Sequence, residues 1–444
     1  MNPAGPRGLM IAAPSSGSGK TTVTLALLRA LRNRGVPAVS AKSGPDYIDP
    51  KFHEAASGLA CINLDAWAME SAQIQSLAAS QMQGANLLVV EAAMGLFDGA
   101  ANGRGSAADL AACLGLPVVL VVDCAKQAQS VAALVSGFAS FRQDVPVAGI
   151  LLNKVGSPRH EAMLRRALAP LGIPVVGALP RLQGLMLPER HLGLVQAEEH
   201  PELSRFLDQA AEHLEAYADL SALSGLALPL IQTSDAGGDL LPPLGQRIAV
   251  ASDVAFAFAY PHLLSGWREA GADLSFFSPL ADEGAAADAD AIYLPGGYPE
   301  LHAGRLAANE GFRGSLHSAA ARGALIYGEC GGYMVLGDGL IDAQEMRHQM
   351  LGLLPLETSF ATRKRHLGYR ELSLLHDVPV PGWSKGMGLA AHEFHYASIV
   401  HEGAADRLFS ARDAEGETLP EMGLRTGKTL GSFAHLICAR GCGT

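Results

Sequence analysis

Charge is scarce in this 444-residue chain: only 17% of its residues are Asp, Glu, Lys or Arg, against 49% that are apolar. That balance excludes an intrinsically disordered protein, which would be too polar to bury a core. Positive charge is the scarcer kind, with 33 Lys and Arg against 44 Asp and Glu, for a net charge of −11. The deficit argues against nonspecific nucleic-acid binding or an anionic membrane surface, so neither nucleic acid nor membrane is expected as a partner. The six cysteines (Cys61, Cys113, Cys124, Cys330, Cys438 and Cys442) never fall in CxxC pairs, so neither a zinc site nor a disulfide framework is indicated. Cysteines scattered without such spacing suit a reducing cytoplasm. No apolar run reaches the roughly 18 residues of a membrane span. Met1, Pro3, Pro6 and Arg7 lead directly into an apolar strand, so no cleavable signal peptide is expected.

What is present is alternation. The length allows two or three domains, with two as the starting count. Short apolar runs at Leu9–Ala13, Ala38–Ala41, Leu87–Val90, Val118–Val122 and Val147–Leu152 read as buried parallel strands. Between them, Lys20–Asn33, Ala107–Leu114, Ala128–Phe141 and Arg159–Leu168 favour helix. The pattern predicts a doubly wound α/β domain over residues 1–195. An acidic helical stretch, Pro201–Leu223, and the segment Gly225–Gly245 read as a helical segment and linker over 196–245. A second strand series, Ile248–Ala251, Leu274–Phe277, Ala291–Leu294 and Ala324–Tyr327, opens a second α/β domain over 246–444.

The first strand runs into Pro14-Ser15-Ser16-Gly17-Ser18-Gly19-Lys20-Thr21-Thr22, which opens a helix. In a P-loop the N–H groups of such a turn cradle phosphates, a lysine neutralises the β/γ oxygens and a hydroxyl holds Mg²⁺. Ser16, Gly17, Ser18, Gly19, Lys20, Thr21 and Thr22 are therefore candidate nucleotide-binding residues, although the pattern wants glycine where Pro14 stands. Two acidic stretches, Gly44-Pro45-Asp46-Tyr47-Ile48-Asp49-Pro50 and Glu91 through Asp98, follow strands of the same domain. Ligands bind at the carboxyl ends of such strands, so Thr21, Asp46 and Glu91 are expected to converge on one hard cation. Each carboxylate taken alone is equally well a turn or cap residue. Asn153 and Lys154 end another strand, where a base contact or a plain turn is expected.

In the second domain, Tyr327-Gly328-Glu329-Cys330-Gly331-Gly332 sets a cysteine at the point where a strand breaks into glycine. A thiol there becomes a nucleophile when a histidine takes its proton and N–H groups hold the oxyanion. His435 is the candidate base, and Gly296, Gly297 and Gly331 are the candidate oxyanion residues.

These motifs resemble known families. Cys330, the Leu294-Pro295-Gly296-Gly297-Tyr298 loop and the late His435 are similar to a class I glutamine amidotransferase, and the P-loop half is similar to dethiobiotin synthetase. The combination resembles the cobyrinic or hydrogenobyrinic acid a,c-diamide synthases of cobalamin biosynthesis. Supporting stretches are Gly44–Pro50, Met94–Gly99, Leu187–Leu194, His366–Arg370 and His392–Tyr396. The resemblance implies ATP and Mg²⁺ as cofactors, L-glutamine as amide donor and hydrogenobyrinic or cobyrinic acid as substrate. It implies Mg²⁺ on Thr21, Asp46 and Glu91, with Asp49 and Asp98 orienting or activating the substrate carboxylate beside Tyr47. It also implies attack on glutamine by Cys330 with His435 as proton shuttle. Related domains often pair, so a homodimer is expected.

Two positions depart from the pattern. Ile437 stands where triad enzymes carry a glutamate, leaving the third catalytic member unassigned, and Ala92-Ala93 follow Glu91 where glycine is more usual. A many-carboxylate substrate also needs local positive charge, and Arg363, Lys364, Arg365 and Arg370 with His366 form the densest basic run, which a solvated loop would equally explain. The alternatives are a cobyric acid synthase, another tetrapyrrole amidase-ligase or, in a different class, a partition-type P-loop ATPase. The last normally carries a signature lysine at the position of Ser15 and has no use for Cys330.

Overall fold

Seven parallel strands organise the first half: β1 (Arg7–Ala12), β2 (Ala38–Ser43), β3 (Cys61–Leu64), β4 (Leu87–Glu91), β5 (Val118–Asp123), β6 (Val147–Val155) and β7 (Val175–Pro180). They lie in the order β3-β2-β4-β1-β5-β6-β7. β1, β4 and β5 are buried at almost every position, as expected of strands covered by helices on both faces. The computed structural model describes residues 5–181, 189–190, 193–194, 196–232 and 241–440. Half of the Leu187–Leu194 stretch, and Cys442, lie outside the described residues.

The chain divides into two compact units, Met1–Gly238 and Asp239–Thr444. In the first, the helix Leu203–Tyr217 buries Phe206, Leu207, Ala210, Ala211 and Leu214, one stripe at helical spacing. It packs along the helix Lys20–Asn33, and Arg29 and Arg34 reach across to Asp208 (2.7 Å) and Glu215 (2.8 Å). A short strand, β8 (Leu228–Pro229), then pairs antiparallel with the start of β1. These segments add a helix and a return strand to the sheet that the apolar alternation outlines.

The second unit is built on ten strands: β9 (Arg247–Ala251), β10 (Asp273–Phe277), β11 (Ala291–Leu294), β12 (Leu325–Glu329), β13 (His366–Leu374), β14 (Gly388–His395), β15 (Asp406–Arg412), β16 (Thr418–Thr426), β17 (Thr429–Ser432) and β18 (Ala434–Arg440). Their order is β10-β9-β11-β12-β17-β16-β15-β13-β14-β18, parallel as far as β17 and antiparallel beyond. The sheet curls enough for its last strand to return to β12, since the Leu436 N–H donates to Glu329 Oε1 (3.1 Å). A core including Phe256, Ile292, Leu294, Phe312, Ile326 and Met334 backs the parallel half.

Candidate active sites

Each unit carries one cluster of chemically competent side chains at the carboxyl ends of its parallel strands. In the first, β1 breaks at Ala13 and the helix Lys20–Asn33 begins after Gly19, which adopts the left-handed φ of 93°. A side chain there would collide with Asn153, 2.3 Å from the position of a Cβ. The contact has a purpose: Asn153 Nδ2 donates to the Ser18 carbonyl (2.9 Å), and Lys154 Nζ donates to the Gly17 carbonyl (3.0 Å) while pairing with Asp123 (2.7 Å). The structure thus places both β6 residues against the phosphate loop. Ser18 closes the turn on the Ser15 carbonyl (2.9 Å), whereas Ser16 and Gly17 stay exposed. Thr22 is half-buried on the first turn of the helix.

Thr21 Oγ1 donates to Glu91 Oε1 (2.6 Å) and lies 3.5 Å from Asp49 Oδ2. Between these acids sits Lys42, the residue that follows the apolar run Ala38–Ala41. Parallel register sets it opposite Glu91. Its Nζ lies 2.9 Å from Glu91, 2.5 Å from Asp49 and 3.9 Å from Asp46. The side chain is only 3% exposed, at the carboxyl end of an inner strand, where a lysine is kept only if it is paired. His53, also buried, donates to the other Glu91 oxygen (2.7 Å) and faces Cys61 at 3.5 Å. Asp46 Oδ1 accepts the N–H groups of Ile48 (2.9 Å) and Asp49 (3.1 Å) where the helix Asp49–Ser57 begins. Tyr47 is half-buried between the two aspartates. Asp98 accepts the Gly95 N–H (2.8 Å) in a loop whose Leu96 N–H bonds to the Ala13 carbonyl (2.9 Å) at the base of the P-loop.

The electrostatics follow from crowding. Burial works against the Lys42 ammonium, but Asp49, Glu91 and Asp46 outweigh it and hold its pKa above the usual range. Burial likewise opposes the Glu91 charge, yet Lys42 and His53 keep it firmly ionised. Asp49 is pushed up to about 6 by burial and by Asp46, against the pull of Lys42. Lys20 is lowered by burial and by its neighbour Lys42. The donor set of Thr21, Asp46 and Glu91 is all oxygen, the ligand type that a hard divalent cation takes, with the Lys42 ammonium set between the carboxylates.

In the second unit, Cys330 stands between β12 and the helix Gly331–Leu336 with φ 46° and ψ −102°, a strained elbow. Surrounding glycines make the elbow possible: a Cβ on Gly332 would lie 2.0 Å from the Leu294 carbonyl, and one on Gly331 would lie 2.9 Å from Gly297 N. Gly296 separates nucleophile from base, since a Cβ there would sit 2.3 Å from His435 Cε1, 3.1 Å from Nε2 and 3.3 Å from Cys330 Cβ. The structure therefore brings Cys330, His435, Gly296, Gly297 and Gly331 together. Burial pushes the Cys330 thiol well above its ordinary range, helped by Glu300 and opposed by the Gly331 N–H. Burial, with the nearby His392 and His395, lowers His435 to about 3. At rest the pair is thus a thiol and a neutral imidazole.

Beside it, Arg370 forks onto Glu393 (2.7 and 2.8 Å), whose other oxygen meets His395 Nε2 (3.0 Å). The ligand atoms of His366, Glu393 and His395 lie within 4.8 Å of one another, but the Arg370 fork already balances the carboxylate. Arg370 is accordingly taken out of the basic run, leaving Arg363, Lys364 and Arg365 as its exposed members.

Residues 9–195 match the CobQ/CobB/MinD/ParA nucleotide binding domain, and residues 247–441 match the CobB/CobQ-like glutamine amidotransferase domain. The chain is 63% identical to a hydrogenobyrinate a,c-diamide synthase of Brucella suis over 97% of its own length and 98% of that protein. Proteins of the same name from Rhizobium meliloti (59%, covering 97% and 99%) and Rhodobacter capsulatus (52%, covering 98% and 99%) match as fully. No helix among the described residues is long and apolar enough to cross a membrane. With a phosphate loop in one unit, a cysteine elbow in the other and this identity across both, the chain belongs to the hydrogenobyrinate a,c-diamide synthase family.

Proposed function

We propose that this chain amidates the c and then the a acetate carboxylate of hydrogenobyrinic acid or its cobalt-bearing counterpart cobyrinic acid, taking nitrogen from L-glutamine and energy from ATP in the cytoplasm. The full-length identity to the Brucella enzyme carries the reading, because it spans both clusters.

A carboxylate resists amines because its oxygen leaves badly. Transfer of the ATP γ-phosphoryl group to an acetate oxygen forms an acyl phosphate and releases ADP. Ammonia then forms the C–N bond as the C–O bond to phosphate breaks. Lys20 and the loop N–H groups from Ser16 to Thr22 balance the phosphate charge, with Asn153 and Lys154 fixing the loop. Thr21, Asp46 and Glu91 would hold Mg²⁺, which when bound would supply further positive charge beside the phosphates. Asp49 and Asp98, with Tyr47, orient the acetate, and Asp49 at about 6 suits uptake of the proton that the attacking ammonia loses.

In the second unit neutral His435 takes the thiol proton as Cys330 sulfur bonds to the glutamine amide carbon. The N–H groups around Gly296, Gly297 and Gly331 receive the oxyanion. His435 returns the proton to the leaving ammonia, and water hydrolyses the thioester to glutamate. The test is incubation with ATP, Mg²⁺, glutamine and either corrinoid, followed by mass spectrometry. A monoamide that gives way to a diamide is expected, and the faster ring identifies the substrate. Intact glutaminase and ATPase activity without an amide on either ring would refute this substrate.

A further inference from the structure

The position two residues after His435, where an orienting carboxylate is usual, is Ile437, an apolar side chain 1% exposed. A carboxylate nevertheless reaches the histidine from another element. Glu329, the residue immediately before the nucleophile, is itself 1% exposed, and its Oε2 stands 3.9 Å from His435 Nδ1. Two donors fix it: Tyr293 Oη on the neighbouring strand β11 (2.7 Å to Oε2) and the Leu436 N–H on the histidine's own strand (3.1 Å to Oε1). The opposite edge of the ring, Cε1–Nε2, flanks Gly296 on the side of Cys330 Cβ.

We infer that Glu329 is the positioning residue of the thiol site, holding His435 with Nδ1 protonated so that Nε2 faces Cys330. The inference rests on the glutaminase reading given above. One strand thus delivers both the nucleophile and the group that orders its base. At 3.9 Å the pair is longer than a hydrogen bond, and such contacts tighten as the imidazolium forms and attracts the carboxylate. Glu393, the other acid close to the ring, is committed to Arg370 and His395. A purely structural tie between β12 and β18 would need only the Leu436 contact and would gain nothing from a charge kept out of water. Burial pushes Glu329 up to about 7, so it ionises near neutrality. The groups facing it are Tyr293 from β11, Tyr327 from its own strand, and His435 with the Leu436 N–H from β18.

The experiment compares glutamine hydrolysis by the full-length wild type, Glu329→Gln and Glu329→Asp across pH. For Glu329→Gln the inference expects kcat to fall by about 10²-fold, with KM for glutamine within about twofold. It also expects loss of the acid limb near pH 7, partial recovery in Glu329→Asp and a melting temperature no lower than wild type. Unchanged kcat and pH profile in Glu329→Gln overturn it. If that variant does not fold, the wild type decides: ¹⁵N-histidine spectra, with His435 assigned by difference from His435→Gln, must show the Nδ1–H tautomer, and the Nε2–H tautomer overturns the inference. Wild-type protein without glutaminase activity would instead defeat the underlying reading, a result separate from either outcome.

Discussion

Replacing Lys42 by Met keeps the length of the stem and deletes only the charge between Asp49 (2.5 Å) and Glu91 (2.9 Å). Removing one side of a buried ion pair costs about 3–5 kcal/mol while the remaining charges stay ionised. Asp49 offers an escape, because at about 6 it already takes a proton at pH 7 for about 1.4 kcal/mol, and losing Lys42 makes that uptake easier. The expected loss of stability is therefore about 2–3 kcal/mol at pH 7. A native state that holds one more proton than the unfolded chain loses up to about 1.4 kcal/mol per pH unit, so the deficit deepens by about 1 kcal/mol at pH 8. Urea titration followed by Trp67 fluorescence measures this, since Trp67 is buried in the first unit and the other two tryptophans, Trp267 and Trp383, belong to the second and are replaceable by Phe. A deficit under about 1 kcal/mol at both pH values, or one that narrows from pH 7 to pH 8, would refute the assignment of Lys42 as the counter-ion of the cluster.

His53 offers a second test through pH. Burial opposes its charge, but Cys61 and Glu91 outweigh burial and raise it to about 10 from an ordinary 6.5. A raised histidine stabilises fully below its unfolded pKa and loses that contribution as pH climbs through the folded one. The advantage of wild type over His53→Gln in urea midpoint should thus shrink between pH 6.5 and about 10, and a flat difference would mean that the buried ring is neutral. At the second site, Gly296→Ala would set a methyl group 2.3 Å from His435 Cε1. Steady-state kinetics should show glutaminase kcat down by at least about tenfold, since displacing a base by about 1 Å costs up to 10²-fold, and wild-type kcat would contradict the placement of His435 against this loop.

The parallel strands were legible because burial on both faces writes them as unbroken apolar runs. Ala291–Leu294 and the helix Lys20–Asn33 have the boundaries expected from sequence. Beyond residue 330 that signal fails. β13, β15 and β16 mix buried, half-buried and exposed positions and carry Arg, Glu and Ser among them, so no apolar run marks them. Cys330 and the P-loop were visible as local motifs, since each depends on a turn that few residues can make. Lys42 and Glu329 were not. Their significance comes from register and from a curled sheet, which bring together residues distant in the chain and leave no pattern at short range.

The return strand β8 governs how the two halves of this enzyme can be recombined. A chimera joined at residue 195, where the alternation stops, would take its replacement for Leu203–Tyr217 from a foreign sequence. The apolar stripe on the flank of the nucleotide helix, and the Arg29 and Arg34 pairs, would then meet side chains selected for another surface. The same joint would separate Leu230 from its backbone bond to Pro6 and Ile231 from the Leu114 carbonyl. A joint after Gln232 transfers these contacts whole, so the natural unit of exchange between relatives extends well past the last residue that touches nucleotide chemistry.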